Sequence, residues 1–323
     1  MQAPSGLVLV HRASAGPNVS RRCSAGRLIQ LASGQYADVS MWAAATSWER
    51  FRLRIEAVAA SCPGAVFCCE SALFLHGVPT FGTPLAVTTV ASGGRHGRQP
   101  SGMRPAAHHL PAPVPHLRHR HEPAETVTAV VGSEGRLVRT VGVPLAAAST
   151  LAKGTLPQAL TVADSAAASG PPSVLAVREA LAKVRQPGVR GRALKRLEAG
   201  RAGAQSPAES GSRAVILGAG FPEPELQHRF EDDGGFVAQV DAWWEHVRLV
   251  GEVDGEVKYT DPAMTQGRSP LDVLRAEKRR ENRLLAQGIH LRRWGWPEIV
   301  HPERLLRLLA GAGLRADPDT ALS

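Results

Sequence analysis

At 323 residues the chain exceeds one average domain, so two or three domains are expected. Hydrophobic residues make up 43%, which excludes a wholly disordered chain, and no apolar run approaches the roughly 20 residues of a membrane span, which argues against a membrane partner. The net charge is +9, and apart from Lys153, Lys183, Lys195, Lys258 and Lys278 the positive side chains are all arginine.

Arginine suits forked contacts to phosphates and base edges, so the balance favours a polyanion partner; a GC-rich genome gives the same bias. The short apolar stretch 7–10 has no charged residue before it, and a signal peptide is not expected. Cys23, Cys62, Cys68 and Cys69 form no C-x-x-C pair, and reduced thiols in a cytoplasm are the plainer expectation.

Residues 1–45 read as a partial winged-helix-like segment. A basic stretch with Arg21, Arg22 and Arg27 leads into a short alternating run, the turn Ser33-Gly34 and a second run, which together make a β-hairpin. Those three arginines are candidate DNA contacts. Residues 46–170 read as a middle α/β domain. Trp48, Phe51, Leu53, Ile55, Val58 and Ala59 have helical spacing, closed by Pro63-Gly64. A short helix over 71–77 and a strand over 85–90 follow. The Pro- and His-rich stretch 93–124 is expected as an extended loop, and without regular ligand spacing its histidines (His108, His109, His116, His119 and His121) suggest no metal site. Strands over 126–131 and 137–141 precede helical sequence from 145 to 185, broken at Gly170-Pro171-Pro172.

Residues 171–205 read as a basic helical connector. Between Arg185 and Arg201 lie Arg190, Arg192, Lys195 and Arg196, with Glu198 as the one acid. A solvated face is the plain reading and a phosphate-tracking surface the sharper one. In residues 206–312, Ser206-Pro207-Ala208-Glu209 starts a helix as N-cap, proline at the first position and capping glutamate. Strands follow over 226–230, 236–241 and 247–254, then a helix from Ser269-Pro270 to Gly288, a strand over 289–294 and a helix over 302–309. Residues 313–323 are a tail. The fold class is α/β (α+β), with a C-terminal mixed sheet flanked by helices.

In the strand over 247–254, Glu252 and Asp254 fall on one face, about 7 Å apart by the strand rise. Asp241 ends the neighbouring strand and is expected to face the same point. Gathered carboxylates repel, and a divalent cation with oxygen ligands is the usual remedy. Such a cation generates hydroxide and offsets charge on a phosphate being cleaved, with Lys258 as a source of further positive charge. Asp241, Glu252, Asp254 and Lys258 are therefore candidate catalytic residues, and Asp241, Glu252, Asp254 and Glu209 candidate Mg2+ ligands. Plainer readings stand beside these: Glu209 as a helix cap, Asp254-Gly255 as a hairpin turn, Lys258 as a partner of Glu256 or Glu252. Arg275, Arg279 and Arg283 recur every four residues on one helix face, either solvated or tracking DNA, and Arg293 ends the last strand.

The order Glu209, Asp241, Glu252-Val253-Asp254, Lys258 resembles the PD-(D/E)xK nuclease superfamily, and Glu252-Val253-Asp254-Gly255 its very-short-patch-repair-like branch. The resemblance implies a restriction-endonuclease-like fold with magnesium bound by a helix Glu, a strand Asp and an acid on the next strand. Asp254 stands where that pattern has lysine, so Lys258 or Lys278 would have to take its role.

Over nearly its whole length the chain also resembles AbiEi-family antitoxin and transcriptional-regulator proteins of type IV toxin–antitoxin systems. The likeness rests on Gly34-Gln35-Tyr36, Ser71-Ala72 with His76-Gly77-Val78-Pro79, Ser206 to Ser210, Pro222 to Gln227, Glu252 to Gly255 with Lys258-Tyr259, and Glu277 to Glu281. It implies an operator-binding winged helix and a nuclease-like C-terminal domain. The leading expectation is a DNA-binding, antitoxin-like regulator. A Mg2+-dependent DNA endonuclease is the alternative, and a module that neutralises a toxin protein the third.

Overall fold

The computed structural model describes residues 9–13, 18–84, 86–90, 116–119, 126–131, 135–168, 170–254 and 270–323. The chain divides into two compact units, Met1–Thr150 and Leu151–Ser323. Helix and strand are mixed in both, as the sequence pattern implies.

In the first unit, β1 (Val10–His11) and β2 (Leu28–Ala32) flank β3 (Gln35–Asp38), both antiparallel to it. The hairpin turn is Ser33-Gly34, where Gly34 adopts a φ of 69°, a left-handed value costly for residues with a Cβ. One short helix, α1 (Val19–Ser24), precedes the hairpin. Asp38 caps α2 (Val39–Ala44) by accepting from the backbone of Ser40 and Met41. Thr46 and Glu49 form a capping box on α3 (Ser47–Ser61), as their spacing favours.

The larger sheet of this unit contains β4 (Val66–Phe67), β5 (Val87–Val90), β6 (His116–His119), β7 (Thr126–Val131) and β8 (Arg136–Val141), in the order β6-β5-β4-β8-β7. Phe51, Ile55 and Val58 of α3 fill its core against Phe67, Val87 and Val138. Two short elements escape the sequence pattern: β4 is too brief to show alternation, and β6 lies within the stretch expected to be loop. His108, His109 and His121 lie outside the described residues. α4 (Cys69–Leu75) follows β4, and α5 (Val143–Lys153) follows β8. Ser71 accepts from the Thr88 amide and His76 meets the Thr140 hydroxyl, so both residues serve packing here.

In the second unit, α6 (Leu156–Ala167), α7 (Val174–Ala182) and α8 (Pro187–Glu198) gather beside α9 (Pro207–Gly218). The stretch expected as a connector is thus part of a packed unit. Its anchor is Arg213 of α9, 2% exposed, which donates to Asp164 of α6 (2.5 Å), the Ala199 carbonyl and Glu223. Burial holds the Asp164 carboxyl above its ordinary range despite that partner.

The sheet of this unit is a meander of β9 (Glu225–Asp232), β10 (Gly235–Trp244) and β11 (Leu249–Asp254), extended by β12 (His290–Gly295) in the order β12-β11-β10-β9. β12 runs parallel to β11, so the chain must cross over between them, and α10 (Pro270–Ala286) lies in that crossover. α11 (Trp296–Val300) and α12 (Pro302–Gly311) close the unit. Leu284 of α10 joins Val250, Val240, Trp243 and Phe230 in one apolar cluster. The indole of Trp294 donates to Ser212 of α9 (2.8 Å). The sheet is therefore covered by α9 on one side and α10 on the other, and Leu249 to Val253 are all buried. Both faces of β11 are thus inside.

Gly251 sits where the two indoles of Trp294 and Trp244 meet the strand. A Cβ there would lie 2.3 Å from Trp294 Cη2 and 3.2 Å from Trp244 Cζ3. Gly251→Ala is expected to destabilise the second unit by roughly 1–3 kcal/mol, the usual range for overpacking a core, read as a lower urea midpoint at unchanged slope.

Candidate functional site

Glu252 is the centre of the site because its position is the least comfortable for a charge. It lies on β11, an interior strand, with its side chain 11% exposed. A carboxylate so placed must be paired or neutralised. Arg280 of α10 donates to both its oxygens, at 2.6 Å and 3.2 Å, and Arg293 of β12 donates to Oε2 at 3.0 Å. Arg293 lies directly beside Glu252 in the parallel register. Its other nitrogens reach Glu277 (3.1 Å) and Glu281 (3.8 Å) of α10. Two arginines and three glutamates form one network, which fastens the crossover helix to the sheet.

Burial alone would push the Glu252 carboxyl up, but the hydrogen bonds and charges of Arg280 and Arg293 outweigh it and hold the group below its ordinary value of 4.5. Arg293 is held above its usual range: burial works against its charge, and Glu252 with the two α10 glutamates overcomes that.

The other candidate residues are dispersed among local tasks. Asp241 and Glu252 lie on neighbouring strands, one step beyond the last β10–β11 pair, Ala242 opposite Gly251. The Asp241 carboxylate, however, accepts from the Val253 amide at 2.8 Å and so continues the ladder in place of a backbone carbonyl. Glu209 completes the capping of α9: its oxygens accept from the Ser206 hydroxyl (2.8 Å), the Gln205 amide (2.8 Å) and Gln227 (3.3 Å). Asp254 is half-buried at the end of β11. Lys258 and the Gly255 turn lie outside the described residues. Lys278 is exposed on α10.

These donors do not suit a magnesium ion. Both Glu252 oxygens already face guanidinium groups, which would repel a divalent cation at the same place. Among the described residues no three His, Cys, Asp or Glu side chains converge as ligands of one ion.

The arginines thought to track DNA divide in the same way. Arg283 grips the β9–β10 hairpin, donating to the Asp232 carboxylate and to the Gly235 and Phe236 carbonyls (3.0 Å each). Arg293 belongs to the Glu252 network. Arg275 and Arg279 are exposed on α10. In the first unit Arg21 and Arg27 are exposed beside the hairpin, and Arg22 is half-buried.

Arg280 was missed by sequence reasoning. A signal existed: it stands four residues before Leu284, on the helix face that enters the core, where an arginine needs a buried acid. No model of a protein family matches the chain, and no curated protein matches it. Among the described residues no helix is long and apolar enough to cross a membrane.

Replacing Glu252 by glutamine leaves two guanidiniums beside a neutral group. Because both arginines are nearly a third exposed, the loss is expected at roughly 1–3 kcal/mol at neutral pH. A carboxyl with a depressed folded-state pKa stabilises above its unfolded value and stops doing so as pH falls through the folded one. Urea titrations from pH 7 down to pH 3 should therefore show wild-type stability falling below pH 4.5, with a shallower fall for Glu252→Gln.

Proposed function

We propose that the protein is a DNA-binding, antitoxin-like regulator whose second unit is a nuclease-like scaffold used for binding and not for hydrolysis. The observation that carries this is the double pairing of Glu252 by Arg280 and Arg293. The carboxylate best positioned to hold a catalytic cation is already neutralised from within. Support for the scaffold comes from the helix Glu, the strand Asp and the acid on the next strand, Glu209, Asp241 and Glu252, which follow the pattern that the sequence resembles. Support for DNA comes from the net charge of +9 and the exposed Arg21 and Arg27 around the α1 and β2–β3 hairpin. A cognate toxin protein would be the second partner, on the strength of the AbiEi resemblance.

Hydrolysis is the second reading, favoured by the adjacency of Asp241 and Glu252 on neighbouring strands. Fluorescence anisotropy on the DNA upstream of the protein's own coding sequence separates the two. Binding should weaken linearly with the logarithm of salt concentration, with no plasmid nicking in Mg2+. Arg21→Ala combined with Arg27→Ala should weaken binding across sequences and lower the salt slope by about 2. Mg2+-dependent nicking that Glu252→Ala abolishes would establish the endonuclease instead.

A further inference from the structure

From Ala180 to Leu197 the sequence carries Lys183, Arg185, Arg190, Arg192, Lys195 and Arg196 and no acid. The fold sorts these six. Arg196 turns inward and pins α8 to the end of α5, donating to the carbonyls of Leu151 (2.9 Å) and Gly154 (3.0 Å). Arg190 is half-buried, with a long contact of 3.5 Å to the Val184 carbonyl. Lys183, Arg185, Arg192 and Lys195 are exposed. Arg192 rests one nitrogen on the Ala152 carbonyl (3.4 Å), next to the exposed Lys153, which brings a fifth positive side chain to the same edge. Two acids flank this run: Glu179, exposed on α7, and Glu198, which is drawn to Arg178 at 3.4 Å.

The helix α8 is built unusually for a solvated one. Ala193, Arg196 and Leu197 face inward, and Gly188 and Gly191 share the outward stripe with Arg192 and Lys195. A glycine in a helix is unfavourable and is normally excused by a tight neighbour. Neither has one: a Cβ at Gly188 or Gly191 would meet nothing within 4 Å. Bare helix backbone between positive side chains admits the close approach of a bulky polyanion. The stripe from Gly188 to Lys195 is about 10 Å long by the helix rise. Duplex DNA presents about six negative charges over that length. The row of positive side chains is complementary in charge to the phosphate backbone of a duplex.

We infer that the outward surface of α8, with the four-residue connection 183–186 that precedes it, is a second DNA-docking face, in which Lys183, Arg185, Arg192 and Lys195 contact phosphates of a duplex. This rests on the reading of DNA as partner but assigns it a surface apart from the α1–hairpin region. The face positions the duplex through its backbone and carries no sequence preference of its own.

The test uses the full chain and a random-sequence 20-base-pair duplex. Lys183→Gln, Arg192→Gln and Lys195→Gln together should weaken binding at least tenfold at 150 mM salt and lower the salt slope by about 3. Gly191→Ala should raise the melting temperature and still weaken binding, a split that a purely structural glycine would not give. Independently of any variant, Lys183 and Lys195 of the wild-type protein should be protected from acetylation by the duplex. Unchanged affinity and slope in the triple variant, or unprotected lysines in the presence of bound DNA, overturn this inference while the wider DNA reading stands. Protection by single-stranded RNA in preference to duplex DNA overturns the assigned ligand. A wild-type protein that binds no duplex at all overturns both readings.

Discussion

A carboxylate inside a sheet, between two guanidinium groups, sets the terms for the second unit. Glu252 lies on β11 with strands on both sides and a helix on each face, so water cannot solvate it fully and a charged partner is obligatory. Arg293 comes from the neighbouring strand and Arg280 from the helix that links the two. The pairing therefore ties sheet and crossover together, and the further bonds from Arg293 to Glu277 and Glu281 repeat the tie along α10. The same bonds decide the chemistry. The Glu252 carboxylate is engaged by two guanidinium groups and that of Asp241 by the Val253 amide, so both are tied into the fold.

Arginine has two distinct uses in this protein, and the net charge conceals the difference. Arg196, Arg213, Arg283 and Arg293 are turned toward carbonyls and carboxylates, where their planar forks satisfy several acceptors at once. Each is a fastening between elements distant in sequence. Arg21, Arg27, Arg185 and Arg192, together with Lys183 and Lys195, are turned outward. Outward-facing positive side chains gather at the α1–hairpin region of the first unit, at α8 and the connection before it in the second, and on α10, where Arg275, Lys278 and Arg279 are exposed. Counting charge from composition would have credited the whole set to binding.

The elements of the second unit were largely legible in sequence. The Ser-Pro-x-Glu start of α9, the Asp-Gly-Gly turn between β9 and β10 and the length of α10 are local signals, written in capping chemistry, turn geometry and periodicity over a few residues. In the first unit the hairpin around Gly34 and the helix α3 were legible for the same reason. Less was legible where an element was short or its context remote. The two-residue strand β4 has no period to read, and β6 sits in a Pro- and His-rich stretch whose composition says loop. The stretch 171–205, expected as a basic helical connector, is helical and lies within the second unit, where α6 and α9 are joined by Arg213 and Asp164, a pair that spans 49 residues.

The sequence by itself determined the mixed α/β class, the order of the C-terminal elements, and the placing of Asp241 and Glu252 on adjacent strands. Tertiary structure alone decided what those acids do. Strand alternation says which residues share a face, because that follows from the backbone of a single segment. It does not say what lies over that face. The partners of Glu252 arrive from 28 and 41 residues further along the chain, brought by a helix crossover and a parallel strand. Electrostatics acts through space and not along the sequence, so the same carboxylate reads as a metal ligand in one dimension and as an ion-paired brace in three.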